Sequence, residues 1–185
     1  MQTKGIGLIS TREFVKSKFG EDYSNWINSL PASSKALYTG MISASQWYPF
    51  KEGFVVPMHS IADRYFNSNI QLAANQLGFF SAEYALKGMY KVFLLVASPA
   101  YLLKRASNIF STYYSPSEIA MVDSSPKHTT LRVTKFDDIT ASFEFRLGAW
   151  CQRAVELTNN KNIKYTILSS KAKGQRFTEI KVEWS

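Results

Sequence analysis

The spacing of apolar residues changes near Ser115, and that change limits the chain to folds with a helical part and a sheet part. Before it, apolar residues recur every three or four positions, the period of one helix face. After it they mainly alternate, the period of a half-buried strand, with one helical stretch between.

In the first part, Ser10 with Glu13 three residues on predicts a capping box, followed by a helix carrying Phe14, Val15 and Phe19 and ending at Gly20. Asp22 is placed to cap a second helix with Trp26, Ile27 and Leu30, stopped by Pro31. Ser33 can cap a third with Leu37, Tyr38 and Met41. Trp47-Tyr48-Pro49-Phe50 forms an aromatic corner. An amphipathic stretch from Val55 to Phe66 follows, broken by Asn67-Ser68-Asn69. Ile70 to Leu86 reads as an apolar helix, and Met89 to Ala97 keeps that character. Ser98-Pro99 is an N-cap before a proline at the first helical position, a start signal for a helix carrying Leu102, Leu103, Ala106, Ile109 and Phe110.

In the second part, Glu118–Asp123 and Thr129–Lys135 predict two strands around a turn at Ser124–Lys127. Asp137 or Asp138 can cap the next helix. Phe143, Leu147, Trp150, Cys151 and Ala154 share its apolar face, with Glu144, Arg146, Arg153 and Glu156 on the polar one. Asn162–Ser170 and Gln175–Trp184 predict a closing hairpin with Gly174 in the turn. The sum is α+β: an N-terminal helical layer packed on a four- to five-stranded antiparallel sheet with a crossing helix. Neither a repeat nor a linker divides the chain, so residues 1–185 read as a single domain.

Composition narrows function mainly by exclusion. One cysteine permits no internal disulfide and no multi-thiolate zinc site. Two histidines, His59 and His128, leave little for a histidine-based metal centre, and no metal site is expected. His59 reads as a surface or hydrogen-bonded side chain, His128 as a turn-edge residue and Cys151 as a small buried hydrophobe. No phosphate loop, dinucleotide fingerprint or nucleophile elbow is present, so no catalytic residue is assigned and no enzyme is expected. The N-terminal residues lack the apolar core of a signal peptide, and Val92–Ala97 is too short to span a bilayer, which points to the cytoplasm.

The formal net charge is +8. Its sharpest local bias is Lys161, Lys164, Lys171, Lys173 and Arg176, with no acid between them. Two readings stay open for that cluster: a solvated strand edge, or contact with phosphates or a membrane surface. Nucleic acid is the less expected partner.

The notable feature is an aromatic run of Phe79, Phe80, Tyr84, Tyr90, Phe93, Phe110, Tyr113 and Tyr114. It is either helix–helix core or, in part, the wall of a cavity for an apolar ligand.

Several short segments in fixed order carry a resemblance. They are Arg12-Glu13-Phe14-Val15 with Phe19-Gly20, Trp47-Tyr48-Pro49, Tyr90-Lys91, Ser98-Pro99, and Leu102 to Ser107. Gly148-Ala149-Trp150, Gly174 and Val182-Glu183-Trp184 complete the set. Their order resembles the superfamily of haem-NO-binding (H-NOX) sensors, 4-vinyl-reductase domains and TRAPP small subunits, and most closely a bacterial branch of about this length. The resemblance implies a helical layer on a four- or five-stranded antiparallel sheet, with a pocket between them or an assembly surface.

The departures from that pattern matter. The apolar stretch from Leu77 to Ala97 has no histidine to serve as an axial iron ligand. Tyr113-Tyr114-Ser115-Pro116-Ser117 has Ser117 where a Tyr-x-Ser-x-Arg propionate clamp would carry arginine. Haem is therefore not expected, and no cofactor is assigned. Ser170 and Thr178 stand where vinyl-reductase-like domains carry a cysteine pair.

The leading expectation is a non-enzymatic sensor or small-molecule binding module for an apolar or acyl ligand. Its pocket would be lined by Phe80, Tyr84, Tyr90, Phe93, Phe110, Tyr113, Tyr114 and Trp150. The alternative is an assembly subunit that acts through a protein partner or as a homodimer, without a ligand.

Overall fold

The computed structural model of the chain describes residues 1–86, 98–158 and 160–185. Its N-terminal part is a layer of helices: α1 (Gly5–Phe19), α2 (Tyr23–Ser29), α3 (Ala32–Thr39), α4 (Val56–Tyr65) and α5 (Ile70–Leu86). Helix α6 (Pro99–Ile109) follows. Helix α7 (Ala141–Glu156) lies between the two hairpins of the main sheet.

That sheet holds β4 (Glu118–Ser125), β5 (His128–Lys135), β6 (Lys164–Ser169) and β7 (Thr178–Glu183) in the order β4-β5-β7-β6. All pairs are antiparallel, with Leu131 opposite Ile180 and Thr129 opposite Val182. Strands β5 and β6 are not neighbours, so α7 carries the chain across β7 between them. The fold is thus α+β, N-terminal helices on a four-stranded antiparallel sheet with a crossing helix. A second, small sheet was not expected from the sequence. In it β1 (Gln2–Lys4) lies between β2 (Trp47–Pro49) and β3 (Tyr114–Ser115).

The small sheet explains one difference in helix boundaries. Chain pairing at Gln2–Lys4 lets α1 begin at Gly5, and Ser10 sits inside the helix rather than capping it. Its hydroxyl donates to the Gly7 carbonyl at 3.0 Å. Asp22 does take the N-cap position of α2, as its place in the sequence predicts, but its carboxylate makes no cap bond there and turns to Arg64 and Tyr65. Proline at position 31 takes the cap place before α3, so Ser33 lies within that helix, and Met41 falls beyond its end, 97% exposed. Neither Asp137 nor Asp138 caps α7: the Thr140 hydroxyl accepts from the Phe143 amide at 3.2 Å. Signals that joined a backbone constraint to a side chain match the structure. Ser98 accepts from the Tyr101 amide at 3.2 Å with Pro99 opening α6, and Gly174 turns the last hairpin at φ 85°.

Two apolar cores result among the described residues. One lies among the N-terminal helices around Leu8, Phe14, Trp26, Met58, Ile61 and Leu77. The other lies between the sheet and α6 and α7, around Leu103, Leu131, Cys151, Ile180 and Val182. Helices α5 and α7 pack closely at Gly78, where an added Cβ would stand 2.5 Å from the Arg146 carbonyl oxygen and 2.7 Å from the Ala149 Cβ. Tyr165 on β6 donates its hydroxyl to Asn75 on α5 at 2.6 Å, tying the sheet to the helical layer. No helix among the described residues is long and apolar enough to cross a membrane.

Candidate functional site

A cavity of about 780 Å³ opens at the junction of β1, the start of α1, the end of α5, α6 and α7. Its inner wall is built from buried side chains. Phe54 and Phe143 are 1% exposed with ring centroids 5.7 Å apart, and Leu131 rises into it from β5. Its rim is built from lining residues that meet solvent: Tyr84, Tyr101, Ile109 and Tyr113. The wall is largely apolar because α6 and α7 both turn their apolar faces inward here, at Leu102, Ala106, Phe143 and Leu147.

The aromatic residues read from the sequence divide three ways. Tyr84, Phe110, Tyr113, Tyr114 and Trp150 line the cavity. Phe80 does not; it points from α5 toward α1, where its ring meets Phe14 edge-on at 5.5 Å. Tyr90 and Phe93 lie outside the described residues. Tyr114 belongs also to the aromatic nest, 5.0 Å from Phe110 and 5.0 Å from Phe143. Burial pushes its phenol above the ordinary tyrosine value, partly opposed by the Arg146 charge.

The sequence pattern puts Glu144 and Arg146 on a solvent face, and the structure corrects this: both are buried, at 1% and 5% exposure. The reason is that α7 is apolar nearly all round in its first three turns, with Phe143, Phe145, Leu147, Ala149, Trp150 and Cys151. Such a helix is covered on every side. That pattern was the available signal. Glu144 turns to the sheet end, where Ser170 donates at 2.6 Å, Ala172 N at 3.2 Å, and the Thr178 hydroxyl completes the set. Ser170 and Thr178 therefore meet at one carboxylate.

Arg146 instead lines the cavity. It donates to Thr11 Oγ1 at 3.0 Å and Ser10 Oγ at 3.2 Å, and its Cζ sits 4.5 Å from the Phe54 ring centroid. Both hydroxyls pass their own protons to the Gly7 carbonyl, so they can only accept from the guanidinium. Burial pulls the Arg146 group below its ordinary value, countered by the Tyr114 and Tyr38 phenols.

The remaining candidates lie elsewhere. Exposed His59 faces a shallow depression with Asp63 and Arg64, and its Nε2 is 3.5 Å from Ser142 Oγ. His128 sits in the β4–β5 hairpin, 2.8 Å from Ser125 Oγ and 2.7 Å from Asp123 Oδ2. That Ser–His–Asp contact is turn chemistry: Ser125 Oγ also accepts the Lys127 and His128 amides, and none of the three lines the cavity. Cys151 lines the cavity, and burial pushes its thiol up to about 12. Of the basic cluster, Lys161, Lys164, Lys173 and Arg176 are exposed. No group of three metal-ligating side chains occurs among the described residues.

No protein-family model matches the chain, and no curated protein does. Solved structures do. An H-NOX protein from S. oneidensis in its Fe(II)NO state is similar over 98% of this chain and 99% of its own, with TM-score 0.73 and 14% identity. The Fe(II) unliganded H-NOX protein from K. algicida is similar over 98% and 96%, with TM-score 0.66 and 14% identity. A variant of the Tt H-NOX protein gives TM-score 0.68 at 7% identity over 98% and 95%. The helical layer, the four-stranded sheet and the crossing helix of this chain form an H-NOX-like fold.

Proposed function

We propose that the chain is a non-enzymatic sensor or ligand-binding module, and that its ligand is an apolar or acyl-chain molecule rather than haem. The observation that carries this is the cavity of about 780 Å³ walled by Phe54, Phe110, Phe143, Leu131 and Leu147 in an H-NOX-like fold. Such a volume suits a small amphiphile, and bundles and helix–sheet junctions are where apolar ligands are held. The fold implies haem, but the residues do not fit a histidine-ligated one: the two histidines of the sequence, His59 and His128, lie off the cavity. A ligand wedged between α6 and α7 would favour one helix packing over another, and a protein partner or second copy would read that shift.

The test is mass spectrometry of organic extracts from freshly purified protein, with an absorbance scan of the same sample. A lipid or other apolar compound at about one per chain, with no Soret band, is the expected result. A Soret band would overturn the haem-free reading. A clean protein that also takes up no added apolar ligand would move the function to an assembly subunit.

A further inference from the structure

Arg146 is a buried cation with no acid beside it among the described residues. The guanidinium offers five N–H donors, and two find partners there, both neutral hydroxyls. None of the described residues lining the cavity is Asp or Glu, while Lys4 and Arg105 also line it. The undescribed segment 87–97 has no acid in its sequence, and residue 159 is asparagine, so neither supplies one. Glu144, two residues away, is committed to Ser170, Thr178 and the Ala172 amide.

Taking a charge out of water is costly unless a counter-charge or a full set of hydrogen bonds compensates. Glu144 meets that condition and Arg146 does not. A leucine or methionine would fill the same wall without the cost. An arginine fork with free donors, held at the inner end of an apolar cavity, matches a pair of oxygens of a carboxylate or phosphate.

We propose that the cavity takes a single-chain amphiphile with an acidic head group. Arg146, steadied by Ser10 and Thr11, binds the head, and the chain fills the apolar remainder toward the rim at Tyr84, Tyr101 and Ile109. This rests on the ligand-binding reading above and names the ligand's chemical class. A carboxylate and a phosphate share the chemistry that Arg146 recognises, and the test separates them.

The experiment titrates the full chain at pH 7 with dodecanoate, dodecyl phosphate and 1-dodecanol, each below its micelle concentration, and reads tryptophan fluorescence. At least one acid should bind about tenfold or more tighter than the alcohol, from the strength of a charge-assisted bond. The tighter of the two acids identifies the head group. Arg146→Gln should bring that acid to the wild-type affinity for the alcohol, and Arg146→Lys should keep part of the gap. Equal binding of acids and alcohol would overturn the acidic class and leave the ligand-binding module standing. Binding of none of the three would overturn both. The wild-type comparison decides even if Arg146→Gln fails to fold.

Discussion

Glu144 and Arg146 are two residues apart on α7 and face opposite ways, both buried, with no ion pair between them. Two helical steps turn a side chain by about 200°. One therefore reaches the sheet end and the other reaches the cavity. Their surroundings differ in kind: three donors satisfy the carboxylate, and two hydroxyls leave the guanidinium short.

Glu144 has a structural task, and its loss should show in stability. Glu144→Ala strands the Ser170 and Thr178 hydroxyls and the Ala172 amide in the interior. The expected cost is about 2–4 kcal/mol, measured by urea unfolding. A change under ~0.5 kcal/mol, the usual size for surface sites, would contradict the buried network.

The α5–α7 contact makes a second prediction. At Gly78 an added methyl meets backbone, the Arg146 carbonyl oxygen at 2.5 Å and Trp150 N at 3.0 Å, and backbone cannot swing aside. Alanine would gain about 1 kcal/mol of helix propensity in isolation. The clash should outweigh it, with a net loss of ~1–3 kcal/mol in Gly78→Ala. A raised melting temperature would mean the helices do not touch there.

Acid sensitivity should follow Asp22. The Arg64 guanidinium, with Asn25 and the Tyr65 hydroxyl, holds its carboxyl well below the usual carboxylate range. Arg64 Nη2 donates to Asp22 Oδ1 at 2.6 Å. A lowered folded-state value means a contribution fully present above the ordinary carboxylate range and lost as pH falls toward the folded value. Asp123 and Glu183 are shifted the same way, by His128 and Lys181 respectively, and add to it. Asp22→Asn should therefore be less stable than wild type at pH 7, with the difference shrinking as pH falls below about 4. Urea midpoints at pH 7 and pH 3 check this; a difference that grows on acidification would contradict it.

Cys151 should be silent. It is 1% exposed and burial raises its thiol to about 12, so little thiolate exists at neutral pH. A disulfide reagent should label it only after denaturant is added. Rapid stoichiometric labelling of native protein at pH 7.5 would show that the α7 wall opens.

What the sequence revealed depended on how local each cause was. Ile70–Leu86 was legible because its start follows the Asn67-Ser68-Asn69 break, and Asn67 and Ser68 take positive φ there. Ser98-Pro99 was legible because its cap geometry is set within four residues. Ser10 misled because a capping pattern carries no information about a strand partner at Trp47–Pro49. The same limit applies to the cavity. Tyr84, Phe110, Tyr113, Tyr114 and Trp150 could be named from an aromatic run and the apolar face of α7, yet neither says that Phe80 turns to Phe14 instead. Arg146 was hidden because its pattern assigns it to a polar face that the layers on both sides of α7 leave no room for.

The most direct test of a ligand-binding cavity uses a neutral probe, so that it does not depend on the head group. Titration with diphenylhexatriene, read by energy transfer from tryptophan, should saturate at about one probe per chain. Leu147→Trp, which fills the wall beside Trp150, should abolish it while the far-ultraviolet spectrum of the protein is unchanged. Absence of saturable binding to the wild-type chain would contradict the account.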